Sequence, residues 1–192
     1  MSGGGVTPPA ILSELPGPDG GPIRIRRLTG DDAPAVLAYL RTVGAESAFL
    51  SFGGEGPPIS EAEEREFLER AGEIDNALMV VAEWKGEMVG SLTFKGGDRA
   101  RTRHVGEFGI SVARKCQGIG LGRRLIEMLI DWARTGAIVR KINLVVLTSN
   151  VRAIALYESL GFEPEGRSRR DLLVDGEFHD AFVMGLLVDP ID

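Results

Sequence analysis

Phe108-Gly-Ile-Ser-Val112, Ala113-Arg-Lys-Cys116 and Gln117-Gly-Ile-Gly-Leu-Gly122 follow one another without a break. They read as a short apolar strand that runs through a glycine-rich turn into a helix. Gly118, Gly120 and Gly122 alternate, which leaves the backbone N–H groups of the turn uncovered. The helix that starts there adds its own unpaired donors and the positive end of its dipole. Such a turn is a cradle for pyrophosphate; it also reads as a strand-to-helix turn that holds nothing. Spacing excludes two nucleotide motifs. A P-loop needs Lys-Ser or Lys-Thr after its glycines, and none follows. A G-x-G-x-x-G turn needs its third glycine at 123 or 125, where the chain has Arg123 and Leu125. The pattern that fits is Q-x-x-G-x-G, carried by Gln117, Gly120 and Gly122.

On either side of this stretch the periodicities are regular. Downstream, Leu121, Leu125, Met128, Leu129 and Trp132 share one face of a helix. Ile142 to Leu147 reads as a central strand covered on both faces. Asn150 caps a short helix in which Ala153, Leu156, Tyr157 and Leu160 share a face, and Gly161 ends it. Asp171–Val174, the turn Asp175-Gly176 and Phe178–Leu187 make a closing hairpin. Upstream, Ile23–Leu28 alternates as a strand, and Asp31 or Asp32 caps a helix to about Val43. Ser60 and Glu63 form a capping-box signal for a second helix to about Ala71. Strands Ala77–Glu83 and Glu87–Phe94 flank Lys85-Gly86, and His104–Val112 follows. Residues 1–22, rich in Gly and Pro, read as a flexible tail. The expected organisation is therefore one α/β domain over 23–188 and a short C-terminal tail at 189–192.

Composition narrows the function. The chain has 192 residues, 43% of them hydrophobic, and a net charge of −6, with a pI near 5.1. An acidic chain argues against nucleic-acid binding as the main function. The arginine clusters at 24/26/27, 99/101/103 and 167/169/170 read as solvated strand and loop ends. One cysteine, Cys116, rules out an internal disulfide, and two dispersed histidines, His104 and His179, speak against a metal site. Cys116 has no histidine patterned beside it and reads as the residue that leads into the turn. No signal-peptide pattern or membrane-length apolar run is present, so the expectations are no membrane partner and a cytoplasmic location.

Taken together, these motifs resemble the GCN5-related N-acetyltransferase (GNAT) superfamily over about Ile23 to Val188. One motif is Ile110-Ser-Val112 with Gln117 and Gly118 to Arg123. The other is Asn150-Val-Arg-Ala153-Ile-Ala-Leu156-Tyr157-Glu-Ser-Leu-Gly161-Phe162, similar to the family's N-x-x-A-x-x-L-Y-x-x-x-G-F. The closing Asp175-Gly-Glu-Phe-His-Asp180 with Met184 looks like the subgroup that acetylates small amines and amino acids. The resemblance implies a single mixed, mostly antiparallel sheet of about seven strands, helices on both faces and a splayed central parallel pair. It implies acetyl-CoA as cosubstrate, no metal, and a small primary amine as acceptor: an amino acid, a polyamine or an aminated antibiotic. The alternatives are a protein N-terminal or lysine acetyltransferase and a non-catalytic CoA-binding sensor. Homodimers are common in such proteins.

By the same resemblance, the backbone of Ile110, Ser111 and Val112 would pair with the pantetheine arm. The amides of Gly118, Ile119, Gly120, Leu121, Gly122 and Arg123, beside Gln117, would hold the pyrophosphate. Arg123 and Arg124 would reach other phosphates, with Arg124 reading equally as a solvated helix residue. Asn150 would bond the pantetheine, cap its helix, or do both.

The chemistry has three needs. An amine of pKa about 10 must lose a proton, the oxyanion needs a donor, and the leaving thiolate needs an acid. By the resemblance, the strand N–H of Val112 would be the donor. Tyr157 matches the family's acid, its phenol of about 10 lying above a thiol's ~8.5; its helix position also suits a core tyrosine. Ribosomal-protein acetyltransferases of this superfamily often carry a glutamate five residues before the motif asparagine, but Val145 stands there. Glu107 is the remaining carboxylate for the base, directly or through a water, unless it pairs with Arg103; His104 and His179 are weaker options. Glu46, Phe49 and Phe52, with the C-terminal hairpin, would build the acceptor pocket.

Overall fold

The computed structural model describes residues 10–189. In chain order the elements are β1 (Ile11–Pro16), β2 (Pro22–Arg27), α1 (Ala33–Glu46), α2 (Glu61–Glu73), β3 (Ala77–Trp84), β4 (Glu87–Gly96), β5 (Val105–Val112), α3 (Leu121–Thr135), β6 (Lys141–Leu147), α4 (Val151–Ser159), β7 (Glu163–Val174) and β8 (Glu177–Leu187). The strands form one sheet in the order β1-β2-β3-β4-β5-β6-β8-β7, antiparallel except for the parallel pair β5–β6.

Two elements depart from the sequence reading. Within the expected tail, Ile11–Pro16 is a strand paired with β2, so the sheet has eight strands among the described residues. The Gly/Pro run here is a hairpin turn: Gly17 N–H bonds Gly21 O at 2.7 Å, and Gly20 takes a φ of +83° that only glycine adopts without strain. Residues 1–9 and 190–192 lie outside the described residues. In the closing hairpin, β7 starts at Glu163 rather than Asp171. Its residues are almost all exposed along the sheet edge, so no buried face gave the strand a period. A register shift between Ser168 and Leu172 interrupts it further.

The two faces of the sheet carry different helices. Val80, Leu92, Phe108 and Leu144 belong to the main core with Leu121, Leu125, Ile126 and Leu129 of α3, all fully or nearly fully buried. Tyr157 of α4 joins the same core. Met79 and Val81 point the other way and pack with Val36 of α1 and Leu68 of α2. Period-two alternation then assigns the middle strands. Phe108, Ile110 and Val112 face α3 and α4, whereas Glu107, Gly109 and Ser111 face the side of α1. On β6, Leu144 and Val146 face α4, and Asn143 and Val145 face the α1 side. No helix covers Val145, which is 44% exposed, so β6 is not a strand buried on both faces. Among the described residues, no helix is long and apolar enough to cross a membrane.

Candidate active site

β5 and β6 pair only at Val105–Lys141, Gly106–Ile142 and Glu107–Asn143. Beyond these positions the two strands separate, while β5 stays paired with β4 to Val112 and β6 with β8 to Leu147. The result is a fork in the middle of the sheet, opening into a cleft of about 1160 Å³.

The hydrogen-bond alternation of an antiparallel pair shows which backbone groups the fork exposes. Ala113 N–H bonds Val89 O at 2.9 Å. Counting back in register, Ser111 and Gly109 are the residues that exchange bonds with Ser91 and Thr93 of β4. Phe108, Ile110 and Val112 therefore turn their N–H and C=O groups toward β6 and the fork, with Phe108 at its closed end. The Ile110 backbone and the Val112 N–H are left open to the fork, whereas Ser111, expected to pair there, has its backbone committed to β4. Its side chain is what reaches the cleft.

A one-turn 3-10 segment, Arg114–Cys116, carries β5 into the glycine turn. Gly118 (φ +82°) and Gly120 (φ +88°) take left-handed conformations, and α3 starts at Leu121. No acceptor among the described residues meets the first N–H groups of α3. Gln117 braces the turn, its Nε2 donating to Val112 O at 3.0 Å. Cys116 is fully buried beneath it.

The charged groups around the turn are distributed differently from expectation. Arg123 lines the cleft while donating to Ser159 Oγ at 2.7 Å. Arg124 points away, its Nε bonded to Ser13 Oγ of β1 at 2.9 Å, and does not line the cleft. Arg152, which sequence reasoning passed over, does line it. Its guanidinium lies 3.9 Å from where a side chain on Gly118 would begin. It is the second residue of α4 and falls on an unspecified position of the N-x-x-A motif, so the motif itself did not mark it. Arg152→Ala is expected to raise the KM for the pyrophosphate-bearing substrate several-fold with kcat little changed, as loss of uniform binding does. Initial-rate kinetics check this.

Asn150 caps α4, its Oδ1 accepting from Ala153 N–H at 3.2 Å, and also lines the cleft. Tyr157 stands in the last turn of α4, 8% exposed, edge-on to Phe108 at 6.0 Å and to Phe162 at 5.9 Å. It is a core tyrosine and a cleft-lining one at once. Burial pushes its phenol up to about 12.

On the opposite face, Glu107 is exposed and lines the cleft. It does not pair with Arg103, which bonds Asp75 at 2.5 Å. Asn143 stands beside it in register, and the Asn143 amide oxygen is buried without a hydrogen-bond partner among the described residues. His104 and His179 are absent from the cleft lining.

Of the expected acceptor residues, Phe49 is 47% exposed and lines the cleft. Phe52 does not line it. Glu46 lines it but is already engaged. Its Oε2 accepts from Arg114 N–H at 2.7 Å, and its carbonyl accepts from Arg114 Nη2 at 2.7 Å. Glu46 thus joins the end of α1 to the segment before the turn and is not a free anionic anchor. Leu50, Asp171 and Leu172 complete this side. They escaped notice because a mid-chain loop and an exposed edge strand carry no periodicity that marks them as neighbours.

Each arginine cluster gives at least one member to an ion pair: Arg24–Glu14 and Arg26–Asp32, Arg103–Asp75, and Arg167–Asp180. Among the described residues, no group of His, Cys, Asp and Glu is placed to hold a metal ion.

Comparison with known proteins agrees with this geometry. The model of the Acetyltransferase (GNAT) family matches residues 45–162. The L-amino acid N-acetyltransferase AaaT of Escherichia coli (strain K12) is 36% identical over 120 residues, covering 60% of this chain and 72% of that protein. The spermidine N(1)-acetyltransferase of the same organism is 24% identical over 162 residues, 84% of each chain. The crystal structure of a GNAT-family acetyltransferase from Streptococcus pneumoniae superposes with a TM-score of 0.82 at 32% identity, covering 87% of this chain and 99% of that one.

Proposed function

The chain belongs to the acetyltransferase (GNAT) family and is an acetyl-CoA-dependent N-acetyltransferase, and we propose that it acetylates a primary amine of a small molecule by direct transfer. Amino acids, polyamines and aminated antibiotics are the acceptor class. The observation that carries this reading is the fork between β5 and β6, which joins two chemically different half-sites on opposite faces of the sheet.

The α3/α4 face is the donor half. The uncovered N–H groups of the glycine turn, with Arg123 and Arg152, suit the diphosphate. The open backbone edge of Ile110 suits the amides of a pantetheine arm, while the Val112 carbonyl is held by Gln117. The α1 face is the acceptor half: Glu107, Asp171, Phe49, Leu50 and Val145 offer carboxylates and apolar surface to a cationic amine. The relatives named for L-amino acid and spermidine acetylation fit this class of acceptor.

The residues divide the work by face. Glu107 takes the amine proton through a water: it lies four strand positions from Ser111, about 13 Å between Cα atoms, farther than a side chain spans. Val112 N–H faces the fork as the oxyanion donor. Tyr157, on the donor side, donates a hydrogen bond to the departing sulfur. With its phenol near 12, complete transfer to a thiolate of ~8.5 is uphill, so the bond itself is the main contribution.

Following free CoA release across a library of amino acids, polyamines, aminated antibiotics and peptides tests the acceptor class. The expected result is turnover with one small-amine group and little with peptides. Turnover confined to peptide amines, or acetyl-CoA binding by calorimetry with no turnover on any amine, overturns it.

A further inference from the structure

Ser111 meets the cleft differently from its neighbours on β5. Ile110 and Val112 offer backbone groups to the fork, whereas the Ser111 backbone is bonded to Ser91 of β4. What Ser111 contributes is a hydroxyl, on the acceptor face and at the strand level of the oxyanion donor Val112.

That hydroxyl is held from behind. Ser111 Oγ lies 3.1 Å from the phenol oxygen of Tyr39, which α1 delivers and which is 5% exposed. No other hydrogen bond is made by this phenol among the described residues. Burial, with Glu46 and Cys116 nearby, pushes the phenol up, so it keeps its proton. The geometry admits either hydroxyl as donor; we assign the role to the phenol, intrinsically the more acidic of the two, with Ser111 Oγ accepting. The proton of Ser111 is then free to point elsewhere, and a hydroxyl that accepts one bond donates a stronger one. The strand beside it is clear, since a side chain placed on Gly109 would meet only Thr93 Oγ1, at 3.7 Å.

We infer that the Tyr39–Ser111 hydroxyl pair is a second oxyanion donor, with Ser111 Oγ–H bonding the acetyl carbonyl oxygen and Tyr39 positioning it. This rests on the acetyl-transfer reading above. In the step it serves, the amine nitrogen bonds to the carbonyl carbon and the C=O π pair moves onto oxygen, where Ser111 O–H and Val112 N–H hold it. The pair then returns, the C–S bond breaks, and its electrons leave with sulfur. The amine proton goes by way of water to Glu107. Ser111 keeps its own proton throughout.

The test compares Tyr39→Phe, Ser111→Ala, Ser111→Thr and the Tyr39→Phe/Ser111→Ala double variant, with wild-type turnover reading the acetyl-transfer assignment separately. Ser111→Ala is expected to lower kcat roughly tenfold to hundredfold, below the full cost of losing an oxyanion hole because the Val112 N–H remains. Tyr39→Phe, which removes one oxygen and leaves the ring in place, lowers kcat about threefold to tenfold. KM for acetyl-CoA stays within about twofold in both, as expected when an interaction exists only in the transition state. Ser111→Thr, which keeps the hydroxyl, retains most activity, and the double variant is no worse than Ser111→Ala alone. A Tyr39→Phe enzyme with unchanged kcat and only a lower Tm overturns the inference. So do Tyr39 and Ser111 losses that multiply, which would mean that the two act independently.

Discussion

Replacing Tyr157 by phenylalanine is expected to lower kcat roughly tenfold to hundredfold, the range of a lost hydrogen bond to a developing charge. The ring itself should stay put, because Phe108 and Phe162 hold it edge-on from two sides. The loss therefore falls on the phenol oxygen at the donor side of the fork, with KM for acetyl-CoA nearly unchanged. Unreduced turnover across the pH range would remove Tyr157 from the mechanism. The same variant carries a stability signature with a definite sign. The folded phenol is raised to about 12 by burial, against an unfolded value near ~10. Its contribution to stability is therefore complete below about pH 10 and is lost as pH rises through about 12. Alkaline unfolding should accordingly set in later for Tyr157→Phe than for the wild type, relative to each protein's stability at neutral pH.

Glu107→Gln is the second large effect, with an expected fall in kcat/KM of roughly a hundredfold to a thousandfold at pH 7. A Lys-like amine of pKa about 10 is almost wholly protonated there, so a step that removes the proton inside the site is indispensable. The structure leaves this carboxylate free for the role. Arg103 is occupied by Asp75, and on the cleft wall Glu107 is neighboured by the Asn143 amide oxygen, which has no hydrogen-bond partner among the described residues. Because the deficit comes from amine protonation, it should shrink about tenfold per pH unit as the medium approaches the amine pKa. A deficit that stays constant from pH 7 to 9 would assign Glu107 to binding and not to proton removal. Stopped-time assays with a single acceptor over that range measure it.

How much of this was legible in the chain depended on whether a residue's partner was local. The capping box of Ser60 and Glu63 is present as read, Ser60 Oγ accepting from Glu63 N–H at 3.3 Å. The glycines of the turn, the Asn150 cap and the C-terminal Gly161, with φ +91°, are also local and were legible. The β1 strand was not, because its apolar positions are mostly solvent-facing and its Gly/Pro turn has the composition of a linker. Glu46 lines the cleft as expected, but its bonding was not legible. Charge logic offered it to a substrate, and only the approach of Arg114, distant in sequence, showed it bound to the protein itself.

The sequence alone determined the donor half. A glycine turn at a helix N-terminus and a tyrosine on a capped helix are short-range patterns, readable from spacing because backbone sterics and helical period are local. The tertiary structure decided which backbone groups the fork exposes, that Arg152 and not Arg124 stands over the turn, and that Ser111 is backed by Tyr39. It also decided that Tyr157 and Glu107 lie on opposite faces of the sheet. Each of these depends on strand register and on which face a side chain takes in a completed sheet, and register is set by contacts between residues far apart in the chain.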